Sequence, residues 1–146
     1  MMILRSERGQ ALIEFALILP VLLILLVGLF DLSRAVFVSS TLATASREGN
    51  RYAIVHGAQS GAPSGPGSTT FTAPDVDSAV DAIVRRYAIG VTNLTISSEW
   101  PDGTNARGKR VIVTARAPYT PILSEVFLGG GLRLTLSGGS VGTVQR

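Results

Sequence analysis

G-Q-A-L-I-E-F-A-L-I-L-P-V-L-L-I-L-L-V-G-L-F, residues 9–30, sets the terms on which the other residues of this chain are read. From Ala11 to Phe30 the run is apolar almost without interruption. About twenty apolar residues in a helix span the roughly 30 Å of bilayer hydrocarbon. A secretory signal peptide has a shorter apolar core followed by an A-x-A-like cleavage site, and Leu29-Phe30-Asp31-Leu32-Ser33 offers no such site. The reading is a retained transmembrane helix over 11–30. Arg5 and Arg8 on its short N-terminal side point to a cytoplasmic N-terminus, since flanking basic residues favour that side; Arg34 follows the span with Asp31 near it. Two residues inside the run need a reason. Pro20 breaks the helical hydrogen-bond ladder and is expected to kink the span or loosen it locally. Glu14 puts a carboxylate where burial at the bilayer centre costs about 2.5–3.5 kcal/mol and less near the interface. It either sits at headgroup level or has a cationic partner.

C-terminal to the span, apolar and small residues continue at helical spacing through Leu32, Ala35, Ser39, Leu42, Ser46, Gly49 and Ala53, and His56-Gly57 supplies a stop. The long helix is therefore expected over 10–56, roughly 65–70 Å at about 1.5 Å per residue. Its small residues suit close packing, either within its own domain or against another subunit. Gly57–Ala73 is rich in Gly, Ser, Pro and Thr and reads as a mobile loop. Residues 74–146 read as a small α+β domain. A second helix is expected over Pro74–Ile89, with Asp75 and Asp77 at its positive end and Val76, Val80, Ile83, Val84 and Tyr87 among its core-facing stripe. Three antiparallel strands follow, Val91–Trp100, Arg110–Ala117 and Leu132–Val144, the last broken by Gly138-Gly139, with a short apolar piece at Ile122–Leu128 before it. The expected fold class is α+β: a long N-terminal transmembrane helix continuing into a small domain with a second helix and a three-stranded antiparallel sheet.

Composition narrows the function classes. The 146 residues carry 13 basic and 10 acidic side chains, a net charge of +3. The basic residues are scattered arginines apart from Lys109, with no basic run or basic–aromatic stripe for nucleic acid. There is no cysteine, so no disulfide or thiolate metal site can form. His56 is the single histidine and reads as a surface or capping residue. No nucleophile–base set, nucleotide-binding glycine motif or complete calcium loop is present; Asp77 and Asp81 read as solvated helix charge, and Asp102, Thr104 and Asn105 as a polar turn. No enzyme activity, cofactor, metal or nucleic-acid partner is expected.

Gly9-Gln10-Ala11-Leu12-Ile13-Glu14-Phe15, after a short charged leader, resembles the processing motif of type IV pilin-like proteins. Together with Pro20, Gly28, Asp31, Arg34 and A-S-R-E-G-N-R-Y-A at 45–53, it resembles the TadE-like family, the minor pilins or pseudopilins of the tight-adherence (Tad/Flp) pilus. Looser likeness continues through Val111–Ala115, Pro118–Leu123 and Leu132–Ser137. The resemblance implies removal of residues 1–9 by a prepilin peptidase cutting between Gly9 and Gln10. It also implies an assembly role for Glu14 and Phe15. Cleavage would free an amine at Gln10 with a pKa of about 7.7–8, and a neighbour's amine is the cation that Glu14 lacks; at about 4 Å in a low dielectric such a pair offsets part of the cost of burial. The implied function is that of a structural minor pilin in assembly of a Tad-type pilus or secretion apparatus. The implied partners are the prepilin peptidase, other pilins or pseudopilins and inner-membrane platform proteins, in a hetero-oligomer. The implied location is the inner membrane, single-pass with the C-terminal domain outside the cytoplasm, or the extracellular pilus after assembly. The alternative is an uncleaved, envelope-anchored binding module.

Overall fold

The computed structural model describes residues 7–65, 69–72, 78–127 and 129–145. Among these residues seven elements follow in chain order: α1 (Glu7–Val55), β1 (Thr69–Thr72), α2 (Ala79–Tyr87), β2 (Thr95–Glu99), β3 (Arg110–Tyr119), α3 (Ile122–Phe127) and β4 (Leu134–Thr143). The fold is α+β as expected. Most of the leader, the proposed opening of the second helix at Pro74, Asp75 and Asp77, and the end of the 122–128 piece lie outside the described residues.

α1 is 49 residues long and runs unbroken through Pro20. Among the described residues it is the one helix long and apolar enough to cross a membrane, and its most apolar stretch is wholly unburied. The chain divides into two compact units, 1–34 with 120–132, and 35–119 with 133–146.

In the second unit the strands form an antiparallel meander, β1-β2-β3-β4. The three expected strands are β2, β3 and β4. The four-residue β1 adds an edge, pairing Thr69 with Ser98 and Thr72 with Thr95. It comes from the stretch read as a loop, where Thr-Thr-Phe-Thr has the β-branched and aromatic composition of a strand. The start of that stretch is also ordered: Ala58 donates to the Asn105 carbonyl at 3.0 Å, and the Asn105 amide donates to the Ser64 carbonyl at 2.9 Å. Gly65, with φ +73°, lies against the Trp100 ring so closely that an added Cβ would sit 2.4 Å from it.

β3 alternates with period two: Val111, Val113, Ala115, Ala117 and Tyr119 are buried, and the residues between face outward. The buried face meets Leu42, Ala45 and Ala53 of α1 and Val80 and Val84 of α2 in one hydrophobic core. The small-residue face of α1 is thus a core face of its own domain, one of the two uses open to it from sequence. α2 opens at Ala79, where Ser78 caps it by accepting from the Asp81 amide at 3.2 Å. Asp81, read as solvated charge, is fully buried and its carboxylate accepts from the Ser78 hydroxyl at 2.9 Å. It follows buried Val80 directly and is about one turn from buried Val84 on the same helix, so its place on the inner face is set by the packing.

β4 is not broken at Gly138-Gly139; it pairs with β3 without interruption from Leu134 to Thr143. The glycines serve contact instead. A Cβ at Gly138 would stand 2.3 Å from the Ala43 nitrogen and 2.4 Å from the Leu42 carbonyl carbon. The Ser46 hydroxyl donates to the Gly138 carbonyl at 2.8 Å, and the Asn50 amide donates to the Ser140 hydroxyl at 3.0 Å. Strand and helix backbones meet here with no side chain between them.

Candidate functional site: the exposed apolar helix and its acidic residues

Two acidic residues mark the apolar part of α1, and they differ in circumstance. Glu14 lies among exposed apolar side chains; Leu12 and Leu17, on either side of it, are 69% and 74% exposed. Gly9 and Gln10 are also helical and exposed. The Gln10 side-chain amide donates to the Glu14 carboxylate at 3.1 Å, one turn along the helix. The spacing that would put a new terminus at Gln10 and an acid four residues later therefore already brings the two residues together within a single chain. A neutral amide is a weaker partner for a carboxylate than a cation is, because charge-assisted hydrogen bonds are roughly twice as strong. Phe15, 60% exposed, lies beside Glu14 and contributes apolar surface. Pro20 has no N–H to give the Ala16 carbonyl, which frees one acceptor in mid-helix. An added Cβ at Gly9 would meet nothing within 4 Å, so no contact within the chain demands glycine there.

Asp31 closes the apolar run and is buried. Its two carboxylate oxygens accept separately from the backbone N–H groups of Ile122 and Leu123, each at 2.8 Å. These are the first two residues of α3, whose amide groups have no helical acceptor and whose positive end favours a carboxylate. Asp31 thus fastens the 120–132 segment to α1 within the first unit. Sequence reading placed Asp31 as a neighbour of Arg34 and within the family resemblance, without a contact of its own. The available signal was an acid at the end of an apolar run together with a proline, Pro121, just ahead of a helical pattern.

The polar residues weighed for catalysis or metal binding have structural uses. His56 stacks on Tyr52 with ring centroids 3.8 Å apart, and its Nδ1–H donates to the Tyr52 carbonyl at 2.9 Å, at the C-terminus of α1. Asp102 accepts from the Arg110 backbone N–H at 3.0 Å and its guanidinium at 2.9 Å. These hydrogen bonds to Arg110 hold the Asp102 carboxyl down to about 2, from the usual 3.8. Thr104 accepts from the Ala106 amide at 3.2 Å. Among the described residues, no three His, Cys, Asp or Glu side chains gather as metal ligands would.

Residues 9–51 match the family model of the TadE-like protein. The N-terminal segment of this chain is TadE-like. No curated protein and no solved structure matches the chain. The TadE-like match runs from Gly9 to Arg51, so it takes in Glu14, Phe15, Pro20 and Asp31 and ends within α1. Among the described residues, the one long apolar helix fits a single-pass membrane anchor by its length and composition.

Proposed function

We propose that this chain is a minor pilin or pseudopilin that takes part in assembling a Tad-type pilus or secretion apparatus. The observation that carries the reading is an acid, Glu14, set in an exposed apolar helix five residues after a glycine, inside the TadE-like stretch. Prepilin peptidase removes residues 1–9 by cutting between Gly9 and Gln10. A helical glycine suits the cut, since glycine weakens a helix by about 1 kcal/mol relative to alanine and the backbone must unwind to enter a peptidase.

Assembly then follows from charge. The Gln10 amine of one subunit pairs with Glu14 of another, replacing the weaker amide contact that Gln10 makes within its own chain. Slippage of one helix along its neighbour leaves both charges unpaired in hydrocarbon, so the pair sets axial register as well as adding affinity. Phe15 packs beside the pair, and Pro20 is the kink or soft point that lets the helices settle. The partners are the peptidase, other pilins or pseudopilins and the inner-membrane platform, with the N-terminus cytoplasmic and the second unit outside the cytoplasm. The intact mass of the protein from its native host tests the first step: loss of residues 1–9 is expected, and a full-length chain that stays monomeric in detergent favours an anchored binding module instead.

A further inference from the structure

The 120–132 segment carries apolar side chains that its own unit leaves more than half exposed. Val126 is 68% exposed and Phe127 57% exposed. They lie beside the membrane-spanning part of α1: Val126 and Phe127 border a cavity of about 260 Å³ with Pro20, Leu23, Ile24 and Val27. At the other end of α3, Ile122 and Leu123 are held by Asp31. α3 therefore runs back from Asp31 alongside the span, past Ile24, about 10 Å at about 1.5 Å per residue.

Backbone can enter hydrocarbon only if its polar groups are satisfied from within the protein. Several described backbone groups of the segment are met in this way. Asp31 takes the Ile122 and Leu123 N–H groups. Glu125 donates its N–H to the Pro121 carbonyl at 3.1 Å, and Gly130 donates to the Ser124 carbonyl at 3.0 Å. The Leu132 N–H donates to the buried Ser124 hydroxyl at 3.0 Å. Glu125 is the one charged residue between Thr120 and Leu132. It is exposed and one turn from the Asp31 end, where headgroup level makes a carboxylate cheap.

We infer that the 120–132 segment is immersed in the bilayer, in the leaflet next to Asp31, with Val126 and Phe127 against lipid acyl chains. The surface is continuous with the exposed apolar face of the span, and this continuity identifies lipid as its occupant. The inference rests on α1 being a membrane anchor and not on cleavage or on a pilus role. Asp31 is then a depth marker: it ties the re-entrant piece to the end of the span and neutralises the backbone dipoles that enter the membrane with it.

The chain has no cysteine, so single labels can be placed without altering native residues elsewhere. Phe127→Cys, Leu17→Cys and Arg107→Cys are each labelled with a small fluorophore in the full chain, reconstituted into phosphatidylcholine–phosphatidylglycerol vesicles. Nitroxides carried on the lipid chains should quench the label at 127 nearly as strongly as at 17, and aqueous iodide should quench it several-fold less than at 107. Val126→Cys gives a second reading in case the loss of Phe127 loosens α3. Equal iodide quenching at 127 and 107 overturns the inference. Protection from both quenchers also overturns it, in favour of another protein helix on this face. A label at 17 that lipid nitroxides fail to reach sinks the anchor itself, a failure distinct from that of the segment alone.

Discussion

At the residue scale, Gly138 and Gly49 show how the atom a side chain would meet decides the cost of adding it. A Cβ at Gly138 would collide with α1 backbone at 2.3–2.6 Å, and backbone cannot step aside without moving the helix. At Gly49 the nearest atom is Val84 Cγ2 at 2.3 Å, a buried side-chain methyl that must shift but does so without moving backbone. An alanine there also recovers about 1 kcal/mol of helix propensity. Gly138→Ala is therefore expected to destabilise the second unit by about 3 kcal/mol, at the upper end of overpacking costs, with Gly49→Ala clearly milder; urea unfolding of both variants in detergent ranks them. Asp31 makes a different prediction. Its carboxylate holds two amides, and a hydrogen bond to a charged group contributes about 1.5–3 kcal/mol. Asp31→Ala should speed hydrogen exchange at the Ile122 and Leu123 amides while leaving β2 and β3 unchanged. Unchanged protection at 122 and 123 would show that Asp31 does not hold α3.

At the element scale, two capping arrangements hold short pieces in place. Ser78 caps α2 and also donates to the buried Asp81 carboxylate. Its removal forfeits the cap, worth about 1 kcal/mol, and takes a donor from a buried charge, so Ser78→Ala should cost somewhat more than a simple cap loss, measured by denaturant unfolding. The connection between β2 and β3 is closed by Asp102 and Arg110, 2.9 Å apart. The folded Asp102 carboxyl titrates at about 2, below its usual 3.8, because Arg110 donates to it. A group with a depressed folded pKa adds stability above its unfolded pKa and loses it as pH falls through the folded one. The contribution is thus fully present above about pH 4 and disappears on the way to about pH 2. The pair is exposed, so the effect is small. Acid titration of wild type and Asp102→Asn should differ in slope only in that window.

At the scale of the whole molecule, the proposed function makes Glu14 the test. Glu14→Gln keeps the Gln10 contact possible but removes the charge, so the variant should still be cut after Gly9 and yet fail to join the assembly. Mass and co-purification of pilus components read the two steps separately. Normal assembly of the variant would show that Glu14 does not set the register.

How much of this could be read without coordinates follows from the range of the interactions. The span over 11–30 and the alternation in β3 are local patterns, repeated along the chain, so residue order is enough to reveal them. The acid after Gly9 is legible for the same reason, since Gln10 and Glu14 are one turn apart. Asp31 is not: its partners lie 91 and 92 residues away. Nor could Gly138 be told from a strand breaker, because the reason for it is the Leu42–Ala43 backbone on another element. Asp81 looked like surface charge until packing turned its side of α2 inward. The sequence alone determined the membrane-length helix, the TadE-like segment and the α+β class, because hydrophobic periodicity acts between near neighbours. Only the tertiary structure decided which glycines are contacts, which acids are buried and where the 120–132 segment lies, because those outcomes depend on which distant residues the fold brings within a few ångströms.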